Sequence, residues 1–273
     1  MAREIYVSQL SEISVFSAEG EMLRRRALDG AGAICVSGEY LFCAVDEGRA
    51  ILRLNRNTLM PEAAFGGGPG VTQLLASADG GRLYALCAEA DSVLLINARS
   101  GAPMVLCRSG CNPQQMMLYG ASLVVSGGES GHVHLLDAQS LEVRGNLAMP
   151  GPVYSAWMGG GMIHALCMTQ TLDALLVTDS MGGRVQLPLE GMPGRLLRRG
   201  GELLVSVSGR ICAVSPEDAR LRTSYTAPGR AAALLLSGST LCFVDMLSER
   251  IFIRVGEGMW KLLCAGVKDA VVG

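Results

Sequence analysis

The chain has 273 residues, of which 49% are hydrophobic and 18% charged, and 23 Lys and Arg stand against 25 Asp and Glu for a net charge of −2. Such a composition excludes a disordered chain and gives no global positive field for nucleic acid. No run reaches the ~18 consecutive apolar residues of a membrane helix, and MAREIYVSQL has no apolar core of the signal-peptide kind, so the chain is expected to be cytoplasmic.

In chain order the first apolar stretches are EIYVS at 4–8 and ISVFS at 13–17, separated by the polar step QLSE. The same phrase returns as YLFCAV then ILRLN at 51–55, and as RLYALC then VLLIN at 93–97. It continues as SLVVSG then VHLLD at 133–137, MIHALC then ALLVT at 174–178, ELLVSV then ICAVS at 211–215, and TLCFVD then IFIRV at 251–255. The second members begin 37 to 42 residues apart across the whole chain. A segment that often follows Gly or Pro precedes most copies, as in PGVTQLLAS, NPQQMMLY, GPVYSAWM, PGRLLRRG and PGRAAALLL, and a fourth such as EVRGNLAM follows. No stretch repeats with the 3.6-residue period of an amphipathic helix.

Four short strands per copy of about 40 residues, seven times over, predict an all-β, seven-bladed β-propeller of antiparallel four-stranded blades spanning 1–273. A sandwich or barrel with accidental periodicity is the competing reading, and the even spacing argues against it. One blade cannot bury both faces alone, so neighbours must stack until the ring closes. The chain starts at EIYVS with no innermost strand before it and ends in VKDAVVG with no blade after it. VKDAVVG is therefore expected to pair beside EIYVS, which would remove an open sheet edge and make the sequence a complete unit.

Several copies resemble the YVTN-type propeller repeat, part of a WD40-like architecture. ASADGGRLYALCAEADSVLLINARSG matches nearly throughout, while ESGHVHLLDAQSLEV and GRAILRLNRNTL match more loosely. No Trp-Asp dipeptide occurs, so a WD40 repeat itself is not indicated. The resemblance implies the fold and not a function.

Propeller sites usually sit at a mouth of the central channel. Aligning the copies on the Gly/Pro step puts Arg195, Arg230 and Lys268 at matching positions of consecutive blades, with Gln114, Gln115 and Tyr154 as neutral donors. Three cations on one arc of the rim would suit a carboxylate or phosphate. The alternative is that each points outward or pairs with a loop acid. The loops between second and third strands supply such acids: Glu12, Asp46, Glu47, Glu89, Asp91, Glu129, Asp173, Asp245 and Glu249. They would dock a basic partner or cation, or simply keep the loops soluble.

His132 and His134 share a strand face, and His164 lies one blade on. No further ligand completes a metal set near them, and Cys107 with Cys111 is a lone C-x₃-C, so no metal and no cofactor are expected. The nine cysteines are expected to be reduced and mostly buried. GGG at 66–68 and 159–161 read as turns, and neither a phosphate loop nor G-x-S-x-G occurs. Met116, Met117, Met158 and Met162 read as filler between blades. The sequence thus points to a non-enzymatic propeller binding a protein partner or small anionic ligand. The alternative is a propeller enzyme of the lactonase or lyase kind, with acids and histidine at the channel mouth.

Overall fold

A computed structural model describes residues 4–108, 112–245, 247–255 and 259–273. The chain forms seven four-stranded antiparallel sheets, and the one helical element among the described residues is a 3₁₀ turn at Asp46–Gly48. Six sheets are consecutive in sequence. The first is composite: Val267–Val272 lies inside Ile5–Gln9, Glu12–Phe16 and Met22–Ala27. Ile5 pairs with Val272 and Tyr6 with Val271, which closes the ring as expected.

Burial peaks at the second strand of each blade and falls outward from it. Second strands such as Tyr40–Val45, Arg82–Cys87 and Glu202–Val207 are buried at every residue after the first. They are covered on both faces, so they read in sequence as unbroken apolar runs. The outermost strand Met22–Ala27 alternates between half-buried and exposed. The core lies between blades, in seven clusters that each join two neighbours. Tyr6 and Val15 of blade 1 meet Leu41 and Cys43 of blade 2, and Ile5 and Val7 meet Cys242 and Val244 of blade 7 across the closure. Met116 fills the junction of blades 3 and 4, as read from sequence. Six of the eight described cysteines, Cys35, Cys43, Cys87, Cys167, Cys212 and Cys242, are buried, and those six are free thiols; Cys111 lies outside the described residues.

The turn after the third strand is built the same way in several blades. Asn55, Asn97 and Asp137 each accept, through Oδ1, the amides two and three residues on, at 2.7–3.1 Å. The residue four places on is left-handed: Leu59, Gly101 and Leu141, with φ of 58°, 73° and 57°. Leu59 and Leu141 bury their side chains. Blade 3 has Gly101 instead, because the Phe65 ring of blade 2 occupies the space a Cβ would need.

A candidate ligand site in the central channel

Each innermost strand contains one extra residue against its neighbour. In blades 3, 4, 5 and 7 the register skips Thr72, Gln114, Tyr154 and Ala232, and in blade 1 it skips Lys268. In blade 6 the skip covers Gly194 and Arg195. In blade 2, Gly32 and Ala33 both face Ala44, through bonds of 2.9 and 2.8 Å. This bulge fixes the true alignment of the repeat. The residues just before it are Val267, Ala31, Val71, Pro113, Val153, Pro193 and Ala231, and all are buried. Two places further on stand Asp269, Ala33, Gln73, Gln115, Ser155, Arg195 and Ala233, in blades 1 to 7.

That ring of positions is a polar belt. The channel-side edge of an innermost strand has no further strand to bond, so its N–H and C=O groups need other partners. The preceding blade supplies them. Asp269 Oδ2 accepts the Ile34 amide at 2.9 Å, Gln73 Oε1 that of Met116 at 2.7 Å and Ser155 Oγ that of Leu196 at 3.1 Å. Gln73 also donates to the Met116 carbonyl at 3.0 Å, and Gln115 Oε1 accepts the Ser155 hydroxyl. Arginine has no acceptor, so Arg195 donates through Nε to the Ala232 carbonyl at 2.9 Å and through Nη1 to that of Tyr154 at 2.6 Å.

The belt borders a cavity of about 210 Å³, lined by Gln73, Gln114, Gln115, Arg195 and Asp269 and by apolar residues such as Leu74, Leu196 and Leu234. Arg195 and Asp269 keep some accessible surface, but it faces the channel, and protein encloses both groups. Loss of solvation, aided by nearby Arg230, pulls the Arg195 guanidinium down to about 10. The same loss pushes the Asp269 carboxyl up to about 7, against the pull of two backbone amides and of Arg195. Neither group belongs to an ion pair among the described residues. A cation bonded to neutral carbonyls and an acid bonded to amides therefore share one small enclosed space.

The six residues singled out from sequence divide. Arg195, Gln114 and Gln115 line the cavity. Tyr154 contributes its carbonyl to Arg195 and its ring to Arg230, which lies 5.0 Å over it. Arg230 stands one residue before the bulge frame and donates to the Pro193 carbonyl at 2.7 Å. Lys268 sits on the bulge itself, is exposed and pairs with the loop acid Glu249 at 2.7 Å. The three cations therefore do not occupy matching positions, because the bulge offsets them. Where the alignment on the Gly/Pro step put Lys268, the belt has Asp269. That residue was missed; its signal is the polar residue two places after a buried Val or Pro, seen in VKD, VTQ, PQQ, VYS and PGR.

Several loop acids staple the backbone. Asp91 accepts the Asn112 amide at 2.8 Å and Asp173 that of Gly191 at 3.0 Å, each fixing the entry to the next blade. Asp245 accepts the Arg230 amide at 3.0 Å and the Ser248 amide at 3.0 Å. The histidines lie away from the cavity. His164 is buried, with Nδ1 2.9 Å from Thr178 Oγ1 and its ring 5.5 Å from Trp157, and burial pulls it down to about 4. His132 Nδ1 lies 2.6 Å from the Ser130 carbonyl, and its ring is 6.0 Å from that of His134. Among the described residues no three His, Cys, Asp or Glu side chains converge as metal ligands.

No protein-family model matches the chain, and no curated protein matches it. Solved structures do. A functionally unknown protein from Desulfotomaculum acetoxidans superposes with a TM-score of 0.79 at 11% identity, over 100% of this chain and 99% of that one. Kuenenia stuttgartiensis hydrazine synthase gives 0.77 at 14%, over 92% of each chain. Dihydro-heme d1 dehydrogenase NirN gives 0.67 at 14%, over 94% of this chain and 61% of that one. At these identities the likeness is one of fold: this chain is a seven-bladed β-propeller, an architecture shared by proteins of unlike activity.

Proposed function

We propose that the protein is a non-enzymatic, cytoplasmic propeller that binds a small anion in its central channel. The observation that carries this reading is Arg195, a guanidinium enclosed beside a cavity with only neutral carbonyls as partners. An uncompensated cation in a poorly solvated space favours an anionic guest. Arg230 adds to the positive potential around it. The distance of the histidines from the cavity favours binding over hydrolysis or elimination there. The six buried free thiols support a reducing compartment, and no helix among the described residues is long and apolar enough to cross a membrane. The YVTN-type character rests on the Asp79–Gly81 turn and the Asn97–Gly101 turn of blade 3.

The test is a thermal-shift screen of small carboxylates and inorganic phosphate, run on the native protein and on Arg195→Gln, which keeps a donor for a backbone carbonyl. A ligand at about 100 times its dissociation constant adds roughly 2.7 kcal/mol, a rise on the order of 5–10 °C for a chain of this size. The variant is expected to lose that rise. Absence of any shift in the native protein, or an equal shift in both, sinks the reading.

A further inference from the structure

We infer that the channel ligand is a small zwitterion, an amino acid or ω-amino acid whose carboxylate meets Arg195 and whose ammonium meets Asp269. The inference rests on the small-anion reading and adds the second charge.

The belt needs no charge. Gln73 and Ser155 satisfy edge amides of blades 4 and 6 as neutral groups, and Gln115 accepts the Ser155 hydroxyl. Blades 6 and 1 instead place a guanidinium and a carboxyl there, separated by Ala232 and Ala233 of blade 7, and all line the same cavity. The two charges do not meet as an ion pair among the described residues. Each is anchored from its own side: Arg195 through Nε and Nη1 to two carbonyls, Asp269 to the amides of Ile34 and Ala270 at 2.9 and 2.8 Å. Anchoring stops them from swinging together, and each carboxyl oxygen keeps a free lone pair.

A plain anion at Arg195 would face the carboxylate across a poorly screened space, and a plain amine at Asp269 would face the guanidinium. A molecule carrying both charges satisfies each end and repels neither. A space of about 210 Å³ has room for roughly seven water-sized groups, which suits a short amino acid. Gln114 and Gln115 on the same wall offer further polar contacts to such a guest.

The sign of the pH response separates this ligand from a plain anion. Asp269 is near half ionised at neutrality. The charged or titratable groups that face it are Arg195, Cys35 and Cys43, and burial holds both thiols far above neutral pH. Arg230 and Tyr154 face Arg195. Between pH 8 and pH 5.5, Asp269 is therefore the group that changes charge. Protonating it removes the partner of an ammonium and also the repulsion felt by a carboxylate. Zwitterion binding should weaken as pH falls, and carboxylate binding should strengthen.

The experiment is calorimetric titration of the whole chain at pH 8 and pH 5.5 with length-matched sets: propionate, propylamine and β-alanine, then the same sets for glycine, 4-aminobutyrate and 6-aminohexanoate. At pH 8 at least one amino acid should bind ten-fold or more tightly than its matched carboxylate and its matched amine, and lose most of that margin at pH 5.5. Asp269→Asn should bring the amino acid down to the affinity of the carboxylate, leaving the carboxylate within two-fold or better. If carboxylates bind Arg195-dependently and as tightly as amino acids at pH 8, the zwitterion inference is overturned while the small-anion reading stands. If nothing binds, both fall. Should Asp269→Asn fail to fold, the opposed pH profiles of the native protein decide alone.

Discussion

Two constellations in this molecule are made of the same residue types and behave oppositely. At the junction of blades 1 and 2, Arg24 donates to both oxygens of Glu4 at 2.8 and 2.7 Å, and Tyr6 donates its hydroxyl to the same carboxylate. Arg56 Nε donates to the Tyr6 oxygen at 2.7 Å. The contact with Arg24 holds the Glu4 carboxyl down at about 2. In the channel, Asp269 also feels the pull of an arginine, yet its carboxyl is pushed up to about 7. The difference is burial together with contact: Asp269 is enclosed, whereas Glu4 stays partly solvated. A guanidinium fixed in two hydrogen bonds outweighs desolvation, whereas one held across a cavity does not. The first set is complete and acts as a rivet. The second, on the proposed reading, is completed by a guest.

Removing residues 267–273 should break both constellations and has the largest expected effect. The rivet is tied to that segment, since the Glu4 amide donates to the Gly273 carbonyl at 3.2 Å and the Gly273 amide donates back at 3.0 Å. The channel loses Asp269, and the cluster between blades 7 and 1 loses Val267 and Ala270. An unpaired Ile5–Gln9 edge then faces solvent. The expected outcome is loss of cooperative melting and appearance of oligomers in size-exclusion chromatography. A monomer that melts like the full chain would show that the composite blade does not close the ring.

Arg24→Leu should break the rivet alone. It leaves Glu4 and the Tyr6 hydroxyl with one cation, Arg56, and removes two charge-assisted bonds from groups about a quarter exposed. A cost of about 2–3 kcal/mol is expected, or a fall in melting temperature of roughly 5–10 °C. The native protein should also lose this contribution in acid. Glu4 has a folded value depressed from its ordinary 4.5 to about 2, so its stabilisation is present above pH 4.5 and disappears as pH falls toward 2. In Arg24→Leu that acid-side slope should flatten, as measured by denaturant unfolding between pH 5 and pH 2.5. A variant that melts within 1 °C of the native chain would reduce the cluster to a surface contact.

The two constellations were unequally legible in the sequence. Blade number, strand order and closure follow from apolar runs such as RLYALC, because a strand covered on both faces must be apolar at every residue. The innermost strands were harder. Their buried residues lie three apart, as in Val71 and Leu74 or Val267 and Ala270. A regular strand alternates every two residues, and a single step of three is too short to establish a helical period; here the spacing comes from the bulge. Aligning those strands on Gly and Pro therefore slid Arg230 and Lys268 against Arg195 and passed over Asp269. The rivet was invisible because Glu4, Arg24 and Arg56 come from three different strands or turns, and nothing in their spacing brings them together. Arg24 stands in the run RRR at 24–26, which carries no sign of a partner twenty residues back.

Asp269→Asn should sharpen the comparison with the smallest effect. Burial raises the Asp269 carboxyl from its ordinary 3.8 to about 7, so the folded chain binds a proton over that window that the unfolded chain has released. Its ionisation therefore opposes folding: the penalty is complete above pH 7 and is relieved as pH falls toward 3.8. Glu4 acts with the opposite sign and only below pH 4.5. The interval from pH 7 to pH 5 is thus governed by Asp269 alone of these two. The native chain should gain stability there on acidification, by about 1–2 kcal/mol once access of channel water is allowed for. The substituted amide side chain would keep the size and one acceptor but present an NH₂ group to either the Ile34 or the Ala270 N–H. That lost bond offsets the removal of a desolvated charge, so the two proteins should differ little at pH 7. Their slopes should differ: the variant is flat where the native chain rises. Denaturant unfolding at half-unit steps from pH 7.5 to 5 reads this directly. Parallel slopes would mean that the channel carboxyl is already neutralised by a group within the protein, and the contrast with Glu4 would vanish.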